Sequence, residues 1–201
     1  MDETPSRVLL TIALPEIKPP VWREVIVPTD IPLDRLHDVF QIVMGWQDCH
    51  LYEFTFGERT FSEDPEGGDP AGSVRLGEAL AEANDVFAYT YDFGDGWQHL
   101  VKVAMPEEED DDAGFGAAVV CVDGKRACPP ENIGGPPGYE EFCEAIKDKR
   151  HPDHLDMKQW YADATGAATP FRAEAFDPDA VNRELRKYLR WNRPRLLAWA
   201  Y

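Results

Sequence analysis

Hydrophobic and polar positions alternate most clearly between Ala88 and Val103, AYTYDFGDGWQHLVKV. Tyr89, Tyr91 and Phe93 alternate with Thr90 and Asp92. Beyond Gly94-Asp95-Gly96, Trp97, His99, Val101 and Val103 alternate with Gln98, Leu100 and Lys102. Aromatic and β-branched residues at period two around a glycine-rich turn predict a hairpin. A three-residue loop, Gly94 to Gly96, pairs Phe93 with Trp97 and Tyr91 with His99, and gathers every large aromatic on one face. A two-residue Asp95-Gly96 loop would pair Asp92 with His99 and mix the faces. A one-residue slip turns each side chain over, so the three-residue loop is expected, with Asp92 on the polar face. His99 then sits in an aromatic face. A hydrogen-bonded structural role and a ligand or proton-transfer role both suit it there.

The rest of the chain divides by the same reasoning. Arg7–Leu14 and Trp22–Val27 read as strands joined by a stiff, proline-rich link. Leu33–Met44 reads as a helix with Leu33, Leu36, Phe40, Val43 and Met44 in its apolar stripe, His37 at the border and Gly45 as C-terminal cap. Leu51–Phe56 reads as a strand with a short return over Arg59–Phe61. Residues 62–72 read as a loop, and Ser73 as the cap of a short helix through Leu80 to Ala83. After the hairpin, Ala117–Val122 is a further strand, and Asp123–Gly138 is an ordered loop of unusual length. Tyr139–Lys149 and Leu155–Ala164 read as helices. Leu155, Trp160, Tyr161 and Ala164 are expected to be partly buried. The last helix has a clear start: Asp177 caps, Pro178 occupies the first helical position, and Phe176 can staple onto Val181. These elements predict an α+β fold: one domain over residues 1–201, a mixed sheet with a central hairpin, and helices packed on it.

Charge narrows the partners. The 201 residues carry a net charge of −18, and six of the 20 basic residues fall in positions 183–201 beside one acid. The remaining 14 basic and 37 acidic residues give the first 182 positions a net charge of −23. Such a body repels phosphate backbones, so duplex DNA is disfavoured except through the basic C-terminal helix and tail from about residue 177. The six consecutive acids in Pro106–Asp112 lack the alternation and glycine turn of a calcium loop. No membrane span is expected, since no apolar run is long enough, and no signal peptide is expected, since the first residues lack a basic region followed by an apolar one. Cys49, Cys121, Cys128 and Cys143 are widely spaced. Free thiols and a cytoplasmic location are therefore expected.

Five stretches taken together, PPVWREVIVP, LHDVFQIVMGWQDCHLYEF, YTYDFGDGWQHLVKV, CPPENIGGPPGYEEF and FDPDAVNREL, resemble the plasmid pRiA4b Orf-3-like family, which also carries the label of a TnpR-like insertion-element passenger. The resemblance runs over roughly residues 7–187. It implies an α+β fold, an unknown function linked to plasmid or mobile-element biology, and no catalytic residues to carry over. One stretch departs from the family's form, which resembles PPEDCGG: here Asn132 and Ile133 stand in the loop. A zinc set of Cys121, Cys128 and a third loop cysteine is therefore not implied.

No hydrolase, P-loop or dinucleotide fingerprint is present. The candidate ligand-binding residues are His37, His50, Tyr91, Asp92, Asp95, Trp97, His99, Glu131 and Tyr139, which combine apolar walls with a few polar groups. No catalytic residue is assigned. No metal or other cofactor is expected, because the cysteines and histidines lack short paired spacings and Pro152 breaks up His151-x-x-His154. The expected role is a non-catalytic interaction or ligand-binding module with a protein or small-molecule partner. A metal-dependent hydrolase or nuclease using a histidine and carboxylate cluster is one alternative. A DNA-binding recombination accessory factor is the other.

Overall fold

The computed structural model describes residues 7–191 apart from 65, 82, 84 and 108–118. Eight strands form one mixed sheet: β1 (Arg7–Leu14), β2 (Val21–Pro28), β3 (Tyr52–Phe56), β4 (Arg59–Ser62), β5 (Asp69–Pro70), β6 (Val86–Tyr91), β7 (Trp97–Ala104) and β8 (Val120–Lys125). Their order is β5-β4-β3-β6-β7-β1-β2-β8, antiparallel throughout except for the short β4–β5 pair. The helices are α1 (Leu33–Met44), α2 (Leu76–Leu80), α3 (Gly135–Lys147), α4 (His154–Thr165) and α5 (Pro178–Trp191). The fold is α+β with a mixed sheet, as the alternation and helical periods predict. The acidic run of Pro106–Asp112 lies mostly outside the described residues.

One face of the sheet is dry. Val8, Leu10, Ile12 and Leu14 of β1 join Tyr52, Phe54, Phe56, Phe87, Tyr89, Tyr91, Trp97 and Val101 in a continuous buried layer. On β7 the other face is exposed at Gln98, Leu100 and Lys102. Alternation of this kind belongs to an antiparallel sheet covered on one side. Helix α1 forms part of that cover, with Phe40 edge-on to Phe54 and Tyr89. Gly45 ends α1 in the left-handed region, its N–H bonded to the Gln41 carbonyl. Helix α5 packs on α1 and on β8. There the Asn182 amide takes the Cys121 N–H and donates to the Cys121 carbonyl, as a ninth strand would. Asp177 Oδ1 accepts from Ala180 N, the expected cap.

The hairpin keeps its predicted faces but not its predicted register. Tyr91 pairs with Trp97 and Tyr89 with His99, so the loop runs over five residues, Asp92 to Gly96. Asp92 and Gly96 both turn left-handed, at φ 53° and 70°, and β6 ends two residues earlier than alternation suggests while β7 starts at Trp97 as expected. Asp92 Oδ1 accepts from Gly94 N and Asp95 N, and the side chain is buried within the turn rather than on the polar face. Phe93 swings out and is 55% exposed.

Other expectations differ, among them the further strand, expected over 117–122 and found at Val120–Lys125. Helix α3 starts at Gly135, four residues before the apolar period begins, because Pro136 and Pro137 are tolerated in a first helical turn. Gly135 is required there, at φ 70°: a Cβ would come within 2.4 Å of the Asp95 carbonyl oxygen. Ser73 caps no helix; its hydroxyl donates to the Pro70 carbonyl inside a 3-10 turn. On α4, Leu155 is 73% exposed and Ala164 is exposed as well. Met157, Trp160 and Tyr161 supply the half-buried face.

The register predicts opposite outcomes for two neighbouring aromatics. Trp97 is fully buried, so Trp97→Ala should cost roughly 3–5 kcal/mol in urea unfolding. Phe93→Ala should stay within about 0.5 kcal/mol of wild type. Equal costs would restore the Phe93–Trp97 pairing.

Candidate functional site

Two polar groups grow from the same short segment, Gly45–Leu51, between α1 and β3. The first is closed. Gln41 Nε2 donates to the Tyr89 hydroxyl at 3.1 Å; because the other His37 nitrogen faces the Asp48 carboxylate, the neutral ring accepts the Tyr89 proton at Nδ1, 2.7 Å away. His37 Nε2 then carries the hydrogen and donates to Asp48 Oδ1 at 2.8 Å, and Asp48 N donates back to Gln41 Oε1 at 2.9 Å. Asp48 is held left-handed, φ 53°, a conformation aspartate tolerates better than most residues. The His37 ring is buried and stacked 3.6 Å from Tyr52. Burial lowers its pKa, against the raising effect of Asp48. This is a neutral, satisfied histidine in the interior, not a solvent-facing one.

The second group is open. The Tyr91 hydroxyl accepts from Cys49 N and donates to Glu131 Oε1, both at 3.1 Å. Gln47 N donates to the same carboxylate oxygen at 2.8 Å. The other oxygen, Glu131 Oε2, is buried with no hydrogen-bond partner, and His50 Nε2 is in the same condition. The two lie 3.9 Å apart, and Asp92 Oδ2 lies 3.4 Å from His50 Nε2. The Glu131 and Asp92 side chains are only 9% and 8% exposed. Among the described residues, Cys49, His50 and Glu131 offer donor atoms all within 4.8 Å of one another. Partial desolvation pushes the exposed Cys49 thiol up, and Glu131 adds to the shift. Gln47 and Glu131 also wall an open cleft of about 560 Å³, with Met44, Cys128, Tyr161 and Arg172.

The nine candidate residues therefore separate. His50, Tyr91, Asp92 and Glu131 come together. His37 belongs to the closed network. Trp97 and His99 lie in the core beneath Trp46, whose ring is 6.0 and 5.2 Å from theirs. His99 is opposite Tyr89, with Nδ1 3.0 Å from the Tyr89 carbonyl, and burial lowers its pKa to about 4. Asp95 sits at the start of α3, where Oδ2 accepts from Gly134 N. Tyr139 donates to the Ala127 carbonyl and faces a separate groove with Ile17, Pro137 and Phe171. His154 Nδ1 is bonded to the Ala145 carbonyl, and His151 Nδ1 accepts from Asp153 N, so that histidine pair serves local structure. Sequence reasoning missed Cys49 as a site residue. It also missed Gln41, Gln47 and Asp48, whose polar groups hold the segment. The signal available was the run Gln47-Asp48-Cys49, one residue beyond the capping Gly45 and leading into His50.

A family model described as Plasmid pRiA4b ORF-3-like protein matches residues 6–184. The uncharacterized protein y4hQ of Sinorhizobium fredii (strain NBRC 101917 / NGR234) is 40% identical over 160 residues, which cover 77% of this chain and 80% of that protein. A crystal structure of a protein of unknown function, MM3350 from Methanosarcina mazei Go1, superposes with a TM-score of 0.75 at 32% identity. It covers 88% of this chain and 98% of the other. No helix among the described residues is long and apolar enough to cross a membrane.

Burial of His99 has a measurable consequence. Its folded pKa, about 4, lies below the ordinary imidazole value. The unfolded chain therefore takes up a proton first as pH falls, and stability drops between about pH 6.5 and pH 4. His99→Gln should flatten this part of the stability–pH curve by up to about 3 kcal/mol. His37 adds a smaller change of the same sign. Parallel curves for wild type and His99→Gln would show that His99 is not held neutral.

Proposed function

The chain belongs to the plasmid pRiA4b ORF-3-like family, and on that premise we propose that it is a non-catalytic ligand-binding module of plasmid or mobile-element biology. Its site is the open cluster of Cys49, His50, Tyr91, Asp92 and Glu131. The observation that carries this reading is the pair of buried, unpartnered atoms, His50 Nε2 and Glu131 Oε2. An interior acceptor left without a partner costs roughly 1–3 kcal/mol. Tyr52, Trp97 and His99 carry such atoms in the core as well; this pair differs in facing one another at 3.9 Å beside the exposed Cys49, where a ligand can supply the missing partner.

The non-catalytic form of the proposal rests on the same chemistry. A nucleophilic cysteine needs a depressed pKa and a cationic neighbour, whereas the Cys49 thiol is pushed up beside a carboxylate. His37 is bonded through both ring nitrogens, and His99 is sealed in the core with Nδ1 on the Tyr89 carbonyl. The plasmid setting comes from the family's own description. The four free cysteines fit a reducing cytoplasm, where we place the protein.

Glu131→Gln separates a binding site from a structural one. In chelator-treated protein at about pH 8, above the usual imidazole range, the glutamine oxygen can keep the bonds from Tyr91 and Gln47. Its amide nitrogen replaces a buried, unpartnered oxygen with a donor facing Asp92 and His50. Urea unfolding should show unchanged or higher stability, by up to about 1 kcal/mol. A loss above about 1 kcal/mol would mean that the carboxylate serves the fold.

A further inference from the structure

We propose that Cys49 Sγ, His50 Nε2 and Glu131 Oε2 form a site for one divalent transition-metal ion of the zinc class. The inference rests on the reading of this cluster as a ligand site and names the ligand. The three donors lie within 4.8 Å of one another. The Glu131 side chain is nine-tenths buried and its free oxygen faces the free His50 nitrogen.

The spacing of His50 and Glu131 favours an ion between them over a shared proton. At 3.9 Å, His50 Nε2 and Glu131 Oε2 are too far apart to share a hydrogen. Zinc bonds to nitrogen and oxygen of about 2.0–2.2 Å, opened to a tetrahedral angle, hold the two donors about 3.4 Å apart. The observed gap is thus roughly half an ångström wider than an ion requires, within the reach of side-chain adjustment. A protonated His50 would balance the charge of Asp92 and Glu131 but leave the 3.9 Å gap unbridged.

The donor set selects the ion. Thiolate, imidazole and carboxylate together favour a borderline-soft cation, while magnesium and calcium take all-oxygen shells. On binding, the Cys49 thiol loses its proton to solvent and its sulfur lone pair forms the bond to the ion. The imidazole is bound as the neutral ring, with Nδ1 carrying the hydrogen. Three protein ligands leave a fourth position, and Asp92 Oδ2, 3.4 Å from His50 Nε2, is placed to accept from a water there. Cys49 is exposed, so the ion has a path from solvent. The site was not legible as a metal motif, because its donors come from positions 49, 50 and 131. The expectation of no metal counted only spacings along the chain.

Cobalt(II) titration of the chelator-stripped, dialysed full chain tests the proposal. One equivalent of Co²⁺ should produce a thiolate-to-metal charge-transfer band and the intense visible bands of a tetrahedral site, and Zn²⁺ should displace both. Cys49→Ser should abolish the charge-transfer band with its circular dichroism unchanged, since Cys49 lies at the surface. Cys143→Ser should keep the band, and His50→Ala and Glu131→Gln should lose the 1:1 end point. Absence of a saturable band in wild type, or a band that survives Cys49→Ser, would overturn the metal assignment. Unchanged or increased stability of Glu131→Gln, together with no cobalt binding by the wild-type chain, would overturn this inference alone and leave the ligand site standing.

Discussion

Irregular backbone has no ladder to satisfy its amides, and the Gly45–Leu51 segment, in which Trp46 alone is buried, meets that constraint one group at a time. Gly45 N and Trp46 N both bond to the Gln41 carbonyl, which ends the helix. Gln47 N bonds to Glu131, Asp48 N to Gln41 and Cys49 N to Tyr91. The Leu51 carbonyl takes Asp92 N, which starts the sheet again. Three of these partners are side chains from α1, β6 and the Pro129–Glu131 loop. The segment therefore takes this path only once those elements are assembled. The open cluster is a by-product of the same arrangement: Tyr91 and Glu131 spend one oxygen each on backbone amides, and the second carboxylate oxygen of Glu131 is left facing His50.

The loop that carries Glu131 is fixed from the other side by a buried cation. Arg23 donates to the carbonyls of Val43, Trp22, Lys125 and Arg126 at 2.7–2.9 Å. Its guanidinium lies 4.0 Å over the Phe176 ring. Burial lowers its pKa, and no carboxylate is needed because carbonyl dipoles, including one at the C-terminal end of α1, accept the charge. That one side chain joins α1, β2 and the end of β8. The following residues are then tied in turn: Ala127 to Ala173 and Tyr139, and Pro129 to the Trp46 indole. In a chain with net charge −18, an interior built on neutral acceptors around a single arginine avoids a further buried carboxylate.

The sequence made the faces legible and left the register open. Alternation detects a one-residue slip, since every side chain changes face. It is blind to a two-residue slip, and the Tyr91–Trp97 pairing differs from the expected Phe93–Trp97 pairing by that amount. The left-handed turn at Asp92 decided the matter, and a non-glycine residue gives only a weak signal of φ above zero. Helix α1 and its Gly45 cap were legible because period and punctuation agree. The start of α3 was not, because Gly-Pro-Pro-Gly carries no apolar period. His50, Asp92 and Glu131 were legible as polar residues within the family's motifs. Their meeting was not, because the three lie on separate elements.

Native-state amide hydrogen exchange across Trp46–Cys49 tests most directly whether this segment is held by its side-chain partners. In wild type these amides should exchange as slowly as those in the last turn of α1. In Tyr91→Phe, which removes the hydroxyl shared by Cys49 and Glu131, the Gln47 and Cys49 amides should lose protection while β6 and β7 keep theirs. Exchange of the wild-type Trp46–Cys49 amides at the rate of an open loop would contradict the account.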